Sequence, residues 1–248
     1  MRAVFSSWRR ALRQRPTAAV QIAAPNVVML LAIFLAGMSS TLGGAAAFVM
    51  VAIVVAIILG LLAFTLGAAF GAVGEAIRGD APTGYISRGR LLFWRTLGTI
   101  GLALLIALPT LIVGVLGFAF MLAGALGVGF GAPGASTSAG IGLALLGVAL
   151  LLAFLSTPVV YSMEAGVFVG GRTAPQALRS SFSDAYRGGR IWRWLLCAVL
   201  ISAFGLAGSL LGSSVSGVPG AVLGLIASAV ALWLGTTLAF ANWHSDHS

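Results

Sequence analysis

Read as apolar and polar positions, the chain alternates long apolar runs with short links. Six runs are long enough to cross a hydrocarbon core of about 30 Å, for which roughly 20 helical residues suffice. They span approximately Val20–Met38, Ala45–Phe70, Leu97–Leu122, Ile141–Ser162, Leu195–Leu211 and Val218–Ala241. Lipid offers no partner to backbone N–H and C=O groups, so each run is predicted to be a helix. The first residues carry a different pattern. Val4, Phe5, Trp8, Ala11 and Leu12 fall on one helical face, while Arg2, Arg9, Arg10 and Arg13 occupy the other. This spacing predicts an amphipathic helix over residues 1–16, lying in the headgroup layer and ended by Pro16. A membrane domain over 17–243 and a short tail, 244–248, complete the division.

The links differ sharply in charge. Those around 39–44, 127–140 and 212–217 contain no charged residue, and 127–140 reads as a flexible connector of Gly, Ser and Ala. All fourteen arginines fall on the other side: five in the tail, four at positions 78, 88, 90 and 95, and five between 172 and 193. Arginine concentrates on the cytoplasmic side of membrane proteins, so both termini are expected inside the cell membrane. Trp192 and Trp194 are expected to anchor the fifth run at the interface.

Composition agrees with the pattern. Hydrophobic residues make up 60% of the 248 and charged residues 8%, far below the roughly 25% of a soluble chain. The net charge is +9, with arginine as the only strong base. No separate polar domain exists to carry nucleic-acid binding, so the expected charge partner is anionic lipid, with a cytoplasmic or membrane protein as a further possibility. An Arg9-Arg10 export signal fits poorly, since Trp8 and Ala11 are unsuitable neighbours. Cys197, the single cysteine, lies in an apolar run and reads as a small core residue.

Small residues at four-residue spacing (Gly67 and Gly71, Gly208 and Gly212, Gly220 and Gly224) predict close helix packing. Pro25, Pro109 and Pro158 are expected to bend their helices. The two arginine-bearing links also repeat a plan. Glu75-Ala76 aligns with Glu164-Ala165, Gly79 with Gly170 or Gly171, Pro82 with Pro175, and Trp94-Arg95 with Trp192-Arg193. Thr173 and Gln176 have capping-box spacing, with Pro175 early in the helix. Ala177, Leu178, Ser181, Phe182, Ala185 and Tyr186 then form a half-apolar face, with Arg179 and Arg187 off it. The resulting expectation is an all-α membrane fold of three hairpins, each preceded by a cytoplasmic in-plane helix.

Leu12-Arg13-Gln14-Arg15-Pro16, Gly74-Glu75-Ala76-Ile77-Arg78-Gly79 and Pro175-Gln176-Ala177-Leu178-Arg179-Ser180-Ser181 carry a resemblance over nearly the whole chain. In them the chain resembles a family of six-helix membrane proteins of unknown function, abundant in halophilic archaea. It is similar, more distantly, to the membrane domain of some glycerophosphodiester phosphodiesterases. The family tends to follow its fourth span with an acidic, apolar segment, whereas here Glu164 precedes Ala-Gly-Val-Phe-Val. The resemblance implies no activity and no site residues.

Among chemistry-bearing residues, Glu75 and Glu164 stand out at equivalent span ends, where an ionisable group is a functional candidate. Both are expected to be interfacial carboxylates paired with Arg78 or Arg172. With Arg179, Arg187 and Arg190 they make a candidate cytoplasmic interaction or coupling face. His244, Asp246 and His247 supply metal-ligand types but are expected to form a solvated tail, so no metal site and no cofactor are predicted. A serine–histidine–acid set and a phosphate loop with its lysine are both missing, and no enzymatic activity is expected. Two readings follow: a structural or interaction bundle with an arginine-rich face, or a transporter or permease subunit. The second rests on six spans and on Glu164-Ala165-Gly166, a faint likeness to the coupling loop of ATP-driven importers.

Overall fold

The computed structural model describes residues 2–14, 16–17, 21–28, 31, 44–129, 134–187, 190–214 and 217–247. They form an all-helical bundle, with no strand among them. The helices are α1 (Arg2–Gln14), α2 (Gly44–Arg78), α3 (Tyr85–Gly129), α4 (Ala135–Phe168), α5 (Ala174–Tyr186), α6 (Arg190–Ser213) and α7 (Gly217–His247). Five of these, α2, α3, α4, α6 and α7, are long and apolar enough to cross a membrane. The expected first span, Val20–Met38, lies largely outside the described residues. Its residues 21–28 are helical, and Ile22 is fully buried. Likewise 39–43 in the first uncharged link fall outside them.

The packing follows the small residues. α3 lies along α4 with antiparallel pairing: Gly114 faces Ala149, Gly117 faces Leu146, and Gly124 faces Ala139. At Gly117 an added Cβ would come within 2.9 Å of the Leu146 backbone, so the helices touch where side chains are shortest. Gly67 and Gly71 do the same work for α2 against α3, where they receive Thr96 and the stem of Arg88. Gly208 packs on the backbone of Ala227 where α6 meets α7. Pro109 and Pro158 lie inside continuous helices.

The buried core gathers at the arginine-bearing end. Phe70, Phe168 and Phe240 form an aromatic trio with centroids 5.5 to 6.1 Å apart, surrounded by Val73, Met163, Leu238 and Trp194. Towards the uncharged end, Leu105, Val115, Phe118, Leu143 and Leu150 on α3 and α4 are exposed, which suits a lipid-facing surface.

Four expectations change here. The arginine stretch before the third run is no separate in-plane helix. It is the start of α3, whose 45 residues extend about 67 Å, beyond what a ~30 Å core requires. Helices absorb most of the 127–140 connector, since α3 reaches Gly129 and α4 begins at Ala135. The apolar face of α1 is occupied by protein: Val4 and Ala11 are buried, and Trp8 Nε1 donates to Leu234 O at 3.3 Å. Trp194 belongs to the core, while Trp192 and its counterpart Trp94 are 74% and 77% exposed. Trp194 follows Trp192 by two residues, about 200° round the helix, so when one ring faces outwards the other faces the core.

Candidate functional site

α2 ends at Gly79, whose φ of 79° is the left-handed value that glycine adopts without strain. The turn is closed by Asp80 N donating to Glu75 O at 2.9 Å. α4 ends similarly near Gly171, with φ 65°, where Arg172 N donates to Gly166 O at 3.0 Å. Arg78 ties the two ends together. Its Nη1 donates to the carbonyls of Phe168 (2.7 Å) and Val169 (3.0 Å), and its Nε to Asp80 at 2.6 Å. Carbonyls left over at a helix C-terminus are natural acceptors for a guanidinium. Gly74 makes this approach possible, because a Cβ there would collide with the Phe168 carbonyl.

Glu75 pairs with an arginine, but with Arg88 of α3 and not with Arg78. Arg88 Nε donates to Oε1 at 3.1 Å and Nη2 to Oε2 at 2.9 Å, a bidentate fork. The remaining donors of Arg88 reach Gln21 Oε1 at 3.1 Å, Ala68 O at 3.0 Å and Thr83 O. The Thr83 hydroxyl also donates to Glu75. Arg88 is only 4% exposed, and a buried ion pair is tolerable when its donors are met this fully. No sequence signal separated Arg88 from the other arginines. Its distinction is that Gly71 leaves room for its stem. A cavity of about 290 Å³ adjoins the pair, bordered by Arg78, Arg95 and the Val167–Gly171 turn. Arg95 Nη1 donates to Gly171 O at 3.1 Å.

Glu164 stands differently. The positive φ of Gly171 aligns it with Gly79, which places Glu164 seven residues before its turn and Glu75 four before its own. α4 itself ends at Phe168, whose carbonyl abuts Gly74 of α2, so Glu75 lies about level with Val169 while Glu164, four residues before Phe168, lies deeper in the bundle. There no arginine among the described residues meets it, and its Oε2 is buried without a hydrogen-bond partner. Arg172, the expected partner, turns the other way. Its Nη1 donates to Ser180 Oγ at 2.5 Å and to Asp184 at 3.3 Å, and its guanidinium lies 5.3 Å from the Trp243 ring centroid. Glu164 borders two cavities, of about 350 and 260 Å³, which share it with Phe70 and Val160.

α5 docks on α4 and presents a basic face. Thr173 N donates to Gln176 Oε1 at 3.1 Å, as the capping-box spacing predicts, and Pro175 sits in the first turn. Ala177, Ser181 and Ala185 are buried, with Ala177 against Gly166, and the Tyr186 hydroxyl donates to Leu155 O. Phe182, placed on the apolar face by its spacing, is exposed. Asp184 turns inwards to Arg172, to Arg190 at 3.9 Å and to His247 at 3.4 Å. Arg179 and Arg187 point outwards, and neither has an acidic partner among the described residues.

The end of the chain is not the solvated tail expected. α7 continues to His247, and Asp246 pairs with Arg190 at 3.6 Å and with Arg193. His247 stacks on Trp243 at 4.0 Å between centroids. Opposite charges on α5, α6 and α7 recruit these residues into the bundle. Among the described residues no three His, Cys, Asp or Glu side chains converge as a metal ion requires. Comparison with protein-family models, curated proteins and solved structures finds no match for this chain.

Proposed function

We propose that the protein is an interaction bundle of six spans, arranged as hairpins in the cell membrane with both termini cytoplasmic. Its arginine-rich end holds anionic partners, lipid headgroups in the first place. Kinship with the six-helix family named above belongs to the same proposal and adds no catalytic activity to it. One observation carries the reading: on α5 the acid turns inwards to Arg172 and Arg190, while Arg179 and Arg187 turn outwards without acidic partners. A helix whose only outward charges are basic suits an anionic surface. Arg9, Arg10 and Arg13 are likewise exposed, on α1.

The test is retention of anionic lipid. Wild-type protein purified from native membranes should carry bound anionic lipid, read by native mass spectrometry. Arg179→Glu with Arg187→Glu should weaken retention about fivefold per arginine. Retention unchanged by the double substitution removes the lipid reading; loss of one cross-linked protein instead identifies a protein partner. Orientation is checked with cysteines at Ser136, Ser214 and Ser183. An impermeant thiol reagent should label the first two in intact cells and spare the third.

The permease reading has its own support in Glu164, a carboxyl bordering two cavities within a membrane-length helix. Flux in proteoliposomes that Glu164→Gln abolishes would favour it over the interaction bundle.

A further inference from the structure

The larger cavity beside Glu164, about 350 Å³, lies among α2, α3 and α4. Leu62, Leu66, Ile100 and Ala103 make its walls, and the rings of Phe70 and Phe168 stand near the carboxyl. The two hydroxyls that border it are already engaged. Thr96 Oγ1 donates to Leu92 O at 2.9 Å, and Thr99 Oγ1 to Arg95 O at 2.8 Å. Neither serves Glu164, whose Oε2 is buried without a hydrogen-bond partner. A carboxylate in such surroundings is stable only with a cation beside it or a proton on it. The surroundings are wrong for a metal ion, which would require several oxygen ligands, and no second carboxylate borders the cavity. They suit a cation with an apolar body. The carboxyl supplies the opposite charge, and the aliphatic walls cover the rest of such a ligand. Leu104 at the edge of the cavity is 53% exposed, so among the described residues the opening lies on the apolar flank of the bundle.

We infer that this cavity binds an apolar organic cation, a substituted ammonium whose charge pairs with Glu164 while its body lies between α2 and α3. The ion pair forms without any covalent step. It gives the deep carboxyl the partner that Arg88 gives Glu75. This deepens the permease reading by naming a ligand class, but it is tested by binding alone. A ligand that is bound and never carried across would end the transport reading and leave the site standing.

Full-length protein in nanodiscs of neutral phosphatidylcholine is titrated with radiolabelled benzyltrimethylammonium. Binding should be saturable, and Glu164→Gln should weaken it at least about tenfold. Neopentylbenzene has the same shape without the charge and should not compete. Ala103→Phe fills the cavity from α3, leaves the carboxyl in place, and should weaken binding comparably. That variant decides the matter if Glu164→Gln does not insert. The inference is overturned if wild-type protein shows no saturable binding, if either variant keeps wild-type affinity, or if neopentylbenzene competes as well as the cation.

Discussion

Glu75 and Glu164 each precede an alanine near the glycine-turned end of a membrane-length helix, yet they occupy opposite chemical situations. Around Glu75, a fork from Arg88 and the Thr83 hydroxyl leave a closed polar cluster under the helix turn. Around Glu164 there are two cavities bordered by leucines, phenylalanines, Thr96, Thr99, Ser156, Thr157 and Tyr161, none of which hydrogen-bonds its Oε2. The contact of Gly74 with the Phe168 carbonyl puts the two carboxyls at different depths. At the shallower level the bundle supplies arginines, which snorkel easily to the interface; at the deeper one it supplies none among the described residues. A carboxyl that meets a guanidinium is thus a structural clasp, whereas the deeper one keeps a carboxylate oxygen without a hydrogen-bond partner.

The comparison is most directly broken at the clasp. Arg88→Ala or Glu75→Ala removes one half of the buried bidentate pair and should cost about 3–5 kcal/mol, read as loss of folded protein in steric-trapping or thermal melts. Replacing both by methionine should restore stability to near the wild-type level, because the pair's desolvation disappears with its attraction. Equal damage from the double variant would mean that the contacts to Gln21, Ala68 and Thr83 matter more than the pair.

Gly74→Ala comes next. It pushes a methyl into the Phe168 carbonyl and separates the two helix ends that Arg78 joins, at about 3 kcal/mol. A melt unchanged from wild type would show that the ends are not held in this register. Glu164→Leu should act in the opposite direction. Replacing a carboxyl whose Oε2 is buried without a partner by an apolar side chain should raise stability by about 1 kcal/mol in the absence of ligand. Destabilisation there would mean that Glu164 is a clasp like Glu75. An equally small effect, now destabilising, is expected from Thr173→Ala, which removes the hydroxyl half of the α5 capping box, keeps the Thr173 N to Gln176 bond, and should cost about 1 kcal/mol. Hydrogen exchange should rise in α5 and leave the Glu75 cluster unchanged.

Much of the architecture was legible along the chain. Long apolar runs, their helical state, the small-residue contacts at Gly67, Gly71 and Gly208, and the cap at Thr173 follow from spacing and local chemistry. The candidate face was legible in part. Arg179 and Arg187 could be placed off the apolar side of α5 by periodicity, but the inward turn of Asp184 could not, because its partners lie on α6 and α7. Arg88 looked like any other arginine until Gly71 of another helix gave it a berth. The last residues read as a free tail because their partners, Arg190 and Arg193, are more than fifty positions away.

What the sequence by itself determined is the solvent each stretch accepts. Backbone satisfaction in lipid demands helices, and the clustering of all fourteen arginines in three stretches leaves the remaining links to the uncharged end. Only the tertiary structure decided which charges meet. α2 ends at the Gly79 turn and α4 at Phe168 beside it, and the depth of each carboxyl in the bundle decides whether it faces a guanidinium. Sequence alignment matched Glu75 with Glu164 because both precede alanine. The fold separates them, because pairing energy depends on position in three dimensions and falls away when no donor stands within hydrogen-bond distance.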